Sequence, residues 1–141
     1  QMMGEAINTT ILRMRPDVLV IGEIVSREAV EYVMALNLGI VTHTTVHSNS
    51  GRLTLTRLET LSRGSEIPQE VRRDILGNGL GLVVHLSKNL DRETGRYKRS
   101  LEQLLAVRGT RDGDYVTEVL KERDGEGFTP LKAGPEIWQT R

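Results

Sequence analysis

The chain has 141 residues with 19 basic and 19 acidic side chains, so its formal net charge is zero, and it has no cysteine. A hydrophobic share of 38% and a charged share of 27% describe a globular chain rather than a disordered one; the missing cysteines exclude a disulfide framework, a thiolate zinc site and a cysteine nucleophile. No apolar run nears the roughly 18 residues of a membrane span, zero net charge argues against a dedicated nucleic-acid arm or a polybasic membrane surface, and one Phe, one Trp and three Tyr make a base-stacking platform improbable.

Met3, Ala6, Ile7, Ile11 and Met14 recur at helical spacing and predict an amphipathic first helix, ended at Arg15 by Pro16. Val18 to Ile21 is an unbroken apolar run, expected to form a strand covered on both faces, as in a parallel sheet. Gly22 and Glu23 close it. Ser26 is the expected N-cap of a helix with Val30, Val33, Met34 and Leu38 on one face and Gly39 as its stop. Thr42 to His47 is rich in β-branched residues and predicts a second strand. Ser50 follows as a candidate cap for a helix with Leu55, Leu58 and Leu61, ending near Gly64. Pro68 suits the first turn of another helix, with Val71, Ile75 and Leu76 inward and Gly77 at its end.

Leu82 to Leu86 predicts a third apolar strand. Beyond it, Asp91-Arg92-Glu93-Thr94-Gly95 and Arg111-Asp112-Gly113-Asp114 read as hairpin turns, with Tyr115 to Leu120 as a return strand. The tail after Asp124 is rich in glycine and proline and holds Trp138, an expected docking residue. The fold class that follows is α/β: parallel strands with helices over 1–86, β-hairpins over 87–121, and a loop-rich tail over 122–141.

In parallel α/β sheets, ligands gather at the carboxyl ends of strands. Glu23 follows the first predicted strand and His47 the second. A buried strand that delivers a carboxylate is the Walker-B arrangement, and phosphoryl transfer asks a protein chiefly for positioned charge. Glu23 fits the carboxylate, and His47 fits a γ-phosphate sensor through an imidazole N–H. The alternative for Glu23 is an exposed carboxylate near the start of the next helix, where the dipole favours it. His43 and His47 have the spacing of a helical zinc pair, but on a strand their Cα atoms lie roughly 13 Å apart. No direct metal ligand is therefore expected in this chain. His85, inside an apolar strand, is expected to be structural. Arg13 and Arg15, and the pair Arg72 and Arg73, are either ion-paired surface or contacts to a phosphate or a neighbouring subunit.

The run Leu12-Arg-Met-Arg-Pro-Asp17 with Val-Leu-Val-Ile-Gly-Glu23 resembles the secretion, or traffic, ATPases, the hexameric motors of type II and type IV secretion, conjugation and pilus assembly. Thr44-Thr-Val-His-Ser-Asn-Ser50 resembles their histidine box, and Arg57-Leu-Glu-Thr-Leu61 the helix after it. Pro68 to Leu86 and the hairpins resemble the branch that includes conjugation and Tad-pilus ATPases. The similarity covers about residues 5 to 120.

The resemblance implies a partial RecA-like P-loop NTPase core, the C-terminal half of the ATPase domain, over 1–121. Glu23 would then act on the Mg²⁺ water shell and the attacking water, and His47 on the γ-phosphate of ATP. Arg13 and Arg15 are further candidates for the nucleotide site. Implied partners are other copies of the chain in a hexamer and inner-membrane platform proteins, with no direct nucleic acid, at the cytoplasmic face of the membrane. No Gly-x-x-x-x-Gly-Lys-[Ser/Thr] loop occurs in the 141 residues. The family places that loop upstream, so this stretch alone is expected to be inactive. Val25 stands where the family usually has arginine, and Ile40 where it often has histidine. A non-catalytic ring or scaffold subunit is the alternative.

Overall fold

β1 (Val18–Ile21) and β2 (Val41–Thr44) pair in parallel, with Val18 opposite Val41 and Ile21 opposite Thr44. A parallel pair needs a crossover, and α1 (Glu28–Asn37) supplies it. In this computed structural model, residues 13–125 and 127–130 are described. The first predicted helix therefore lies outside the described residues, apart from residues 13 and 14, which are helical. Arg15 then takes a left-handed backbone (φ 44°), so the helix stops before Pro16.

β1 is not covered on both faces, as its apolar run predicted. Ile21 is buried and Leu19 packs against the same cluster, whereas Val18 and Val20 are exposed. The helices lie against one side of the two-stranded sheet only, among the described residues. α1 also turns a different face inward. Ala29, Tyr32, Val33 and Leu36 are buried with Ile21, Ile24, Leu58 and Leu76, while Leu38 is exposed. Tyr32, the largest of the fully buried side chains among the described residues, lies on this arc at spacing i+3 from Ala29 and i−4 from Leu36. Ser26 makes no side-chain cap. Its N–H donates to the Glu28 carboxylate at 3.0 Å and its carbonyl accepts from Ala29, so the first turn is closed by backbone and glutamate instead. Gly39 does end the helix region, at φ +75°.

α2 (Gly51–Leu61) starts at Ser50, whose Oγ accepts from the Leu53 N–H at 3.2 Å, and runs into a 3-10 turn at Ser62–Gly64. α3 (Gln69–Gly79) follows Pro68. Gly77 is not its end but a crossing point. A Cβ there would lie 2.7 Å from Thr110 Cγ2 and 3.0 Å from the carbonyl of Gly109. Val71, expected inward, is exposed; Arg72 and Leu76 take the buried positions.

The strand predicted at Leu82 to Leu86 does not join the parallel pair. β3 (Leu82–Leu90) opens a second sheet of order β3-β4-β5-β6, pairing antiparallel with β4 (Tyr97–Arg111). The turn at Asp91–Gly95 brings that partner within reach, whereas joining β1 or β2 would need a distant closure. Asp112 (φ 52°) and Gly113 (φ +81°) make a two-residue turn into β5 (Asp114–Asp124). β5 runs on into the expected loop-rich tail, and β6 (Gly127–Phe128) pairs back onto Arg123 and Asp124. Trp138 and the rest of the tail beyond 130 lie outside the described residues. Leu55, Val83, Leu105 and Val107 form a second buried cluster, and Leu80 and Tyr115 pack against both clusters, joining the two sheets through the helices.

Candidate functional site

The parallel register continues past the ends of both strands. The Ile24 N–H donates to the Thr45 carbonyl at 2.9 Å, and Thr45 Oγ1 donates to the Gly22 carbonyl at 2.7 Å. The threonine hydroxyl takes the place of a ladder bond, so β2 ends at Thr44 rather than at His47 as predicted. On the far side, Ser48 Oγ donates to the Ser50 carbonyl at 3.1 Å, just ahead of the α2 cap. His47 is thus held between a stitched strand end and a capped helix start.

This frame brings Glu23 and His47 together. His47 Nε2 lies 2.9 Å from Glu23 Oε1, with the His47 side chain 92% and the Glu23 side chain 44% exposed. A solvated pair of this kind contributes little to stability. Its chemistry is a carboxylate acceptor beside an imidazole that can donate a proton or a hydrogen bond, both open to an incoming ligand.

The structure does not bring the other candidates to this pair. Arg13 and Arg15 are exposed, and no hydrogen bond or ion pair among the described residues joins them to Glu23 or His47. His43 lies opposite Val20, one strand residue before Thr44, and no three His, Asp or Glu side chains converge as a metal site among the described residues. Val25 is exposed in the turn before α1. Arg72 is buried and donates to the Ile67 carbonyl at 2.8 Å, which gives it a structural role.

One cluster was missed by sequence reasoning. Glu59, only 6% exposed, accepts from Arg73 Nε at 3.1 Å, Arg73 Nη2 at 2.9 Å, Gln69 Nε2 at 2.7 Å and Tyr115 Oη at 2.9 Å. Arg73 Nη1 also donates to the Gly113 carbonyl at 2.6 Å. Burial on its own would raise the Glu59 pKa, but the hydrogen bonds from Arg73, Gln69 and Tyr115 outweigh it and lower it. Tyr115 is pushed up by burial and by the bond to Glu59. The signal was present: Glu59 falls at i+4 from Leu55, on the buried stripe of α2, where a carboxylate requires a partner.

These elements lie inside a region matched as a whole. The model of the family described as type II/IV secretion system protein matches residues 3–118. The chain belongs to that family. It is 30% identical over 111 residues to a conjugal transfer protein TrbB of Rhizobium radiobacter, covering 76% of this chain and 31% of that protein. It is 30% identical over 119 residues to a probable conjugal transfer protein TrbB of Sinorhizobium fredii (strain NBRC 101917 / NGR234), covering 79% and 34%. The chain thus spans about a third of the length of the curated relatives it matches. As a secretion-family chain it contains, among the described residues, no helix long and apolar enough to cross a membrane.

Proposed function

We propose that this chain is the Walker-B and histidine-box portion of an ATP-hydrolysing motor subunit in a type II/IV secretion, conjugation or pilus-assembly machine. Its parallel pair with crossover helix is read as part of a RecA-like core, occupying 1–121 with the hairpins. The observation that carries the reading is the 2.9 Å approach of His47 to Glu23 at the carboxyl ends of two parallel strands.

The donor set fits ATP with Mg²⁺. Carboxylate oxygens suit the water shell of a hard cation, and an imidazole N–H suits a phosphate oxygen. Mg²⁺, when bound, supplies charge neutralisation on the phosphates. Glu23 accepts a hydrogen bond from the attacking water and fixes its direction. His47 donates from its ring to the terminal phosphate oxygen. The stitched backbone at Gly22, Ile24 and Thr45 holds the two segments that carry these side chains next to one another. On this reading the full-length protein is a hexameric ring at the cytoplasmic face of the inner membrane, working on platform proteins, with ATP and Mg²⁺ as cofactors.

Glu23→Gln in the full-length protein tests the assignment. Nucleotide binding should persist while turnover falls about a hundredfold or more, as for loss of a group that acts on the attacking water. Unchanged turnover would remove Glu23 from the chemistry. A wild-type protein that hydrolyses no ATP would instead support the non-catalytic ring or scaffold subunit.

A further inference from the structure

Beside the Glu59 cluster, α2, the 3-10 turn, the start of α3 and the start of β5 border a cavity of about 270 Å³. Three arginines line it, Arg63, Arg72 and Arg73, against two carboxylates, Glu59 and Asp114. Arg73 and Glu59 are committed to each other through two hydrogen bonds, at 3.1 and 2.9 Å. Asp114 is exposed and forms no ion pair with Arg63 or Arg72. The cavity therefore carries a surplus of positive charge in a chain that is neutral as a whole.

Arg72 is the member that asks for a ligand. Only 6% of it is exposed, yet no carboxylate among the described residues pairs with it. Its bond to the Ile67 carbonyl uses Nη1 alone. Its Nε is buried and has no hydrogen-bond partner among the described residues. Buried charges in proteins are ordinarily paired, because an uncompensated one loses its hydration without return. A buried lysine could shed its proton; a guanidinium cannot. The charge on Arg72 thus persists until an anion meets it, and the side of the fork that Ile67 leaves unused is the Nε side.

The surroundings supply further donors. Arg63, in the 3-10 turn, is exposed and makes no ion pair among the described residues. Thr56 and Thr60, one turn apart on α2, line the same cavity with hydroxyl groups. Gln69, the first residue of α3, lines it too, and no side chain caps that helix, so its positive end lies beside the cavity. Donors that arrive from two helices and a turn suit the several oxygens of a tetrahedral oxyanion better than a flat carboxylate. The volume is about nine times the roughly 30 Å³ share of a water molecule, enough for a phosphate and a small organic group attached to it. We propose that this cavity binds a small phosphate-bearing ligand, with Arg72 and Arg63 as its charge partners. The proposal is independent of the nucleotide reading, since neither Glu23 nor His47 lines the cavity.

Thermal unfolding of the full-length protein in inorganic phosphate, against chloride at equal ionic strength, is the test. A ligand that binds only the folded state raises Tm with its concentration. Phosphate held elsewhere in the protein acts alike on wild type and variants and cancels between them. Arg72→Met removes the buried charge and keeps the bulk, so in chloride its Tm should equal or exceed that of the wild type. Arg63→Gln alters an exposed side chain and should leave the chloride Tm unchanged. Either substitution should weaken the site about tenfold, the loss expected with one charge-assisted hydrogen bond, so the rise in Tm with phosphate should shrink in both. Should Arg72→Met fail to fold, Arg63→Gln decides by itself. Glycerol phosphate, compared with glycerol, separates the sources: a larger rise than with inorganic phosphate assigns a phosphate ester, a smaller one the free ion, and both uphold the site. No rise beyond chloride, or the same rise in wild type and variants, would overturn the proposal.

Discussion

Arg73 grips both carboxylate oxygens of Glu59, Nε on Oε2 at 3.1 Å and Nη2 on Oε1 at 2.9 Å, and so ties α2 to α3. Tyr115 and the Gly113 carbonyl extend the tie to the β4–β5 turn. The helix that begins just after His47 is therefore anchored at its far end to the hairpin sheet. Removing one partner of such a buried pair leaves the other uncompensated. Glu59→Ala should cost about 3 kcal/mol of unfolding free energy. Denaturant titration of the two proteins measures it, and a loss below about 1 kcal/mol, the level of exposed pairs, would mean the cluster is a surface contact.

The same carboxylate predicts a pH dependence. The folded Glu59 pKa is lowered, so its stabilising contribution is fully present above the ordinary glutamate value of about 4.3 and is lost as pH falls through the folded value. The difference in Tm between the wild type and Glu59→Gln should be largest near neutrality and shrink on acidification below the ordinary range. A difference that stays constant or grows on acidification would contradict the sign.

Gly77 predicts a packing penalty rather than a propensity gain. Alanine in the middle of a helix ordinarily stabilises relative to glycine. Here the added Cβ would meet Thr110 at 2.7 Å and the Gly109 carbonyl carbon and oxygen at 3.0 Å, and backbone cannot give way as a side-chain end can. Gly77→Ala should therefore destabilise, by about 1–3 kcal/mol. An increase in Tm for this variant would show that α3 and β4 separate freely.

His47→Ala separates chemistry from folding. The side chain is solvent-exposed and its contact with Glu23 is an exposed pair, so stability should change by less than about 0.5 kcal/mol. Under the proposed function, ATP turnover of the full-length variant should fall at least about tenfold. Parallel loss of turnover and thermal stability would make His47 a structural residue.

Short-range signals carried much of the reading. Gly39, the Ser50 cap and the turns at Asp91–Gly95 and Asp112–Gly113 depend on interactions within a few residues, which any window of sequence displays. The placement of Glu23 and His47 after adjacent parallel strands was legible for the same reason: each position follows from its own segment. Their direct contact was not, since it depends on Thr45 bonding across to Gly22 over 23 positions.

Sequence by itself determined the local elements and the two polar side chains that stand at the strand ends. Only the tertiary structure decided that Leu82 to Leu86 joins the hairpins, that α1 buries Tyr32 instead of Leu38, and that Glu59 finds Arg73 and Tyr115. The reason is one of range. Strand ends, caps and turns are set by neighbouring residues, whereas sheet partnership and charge pairing are settled by competition among segments far apart in the chain.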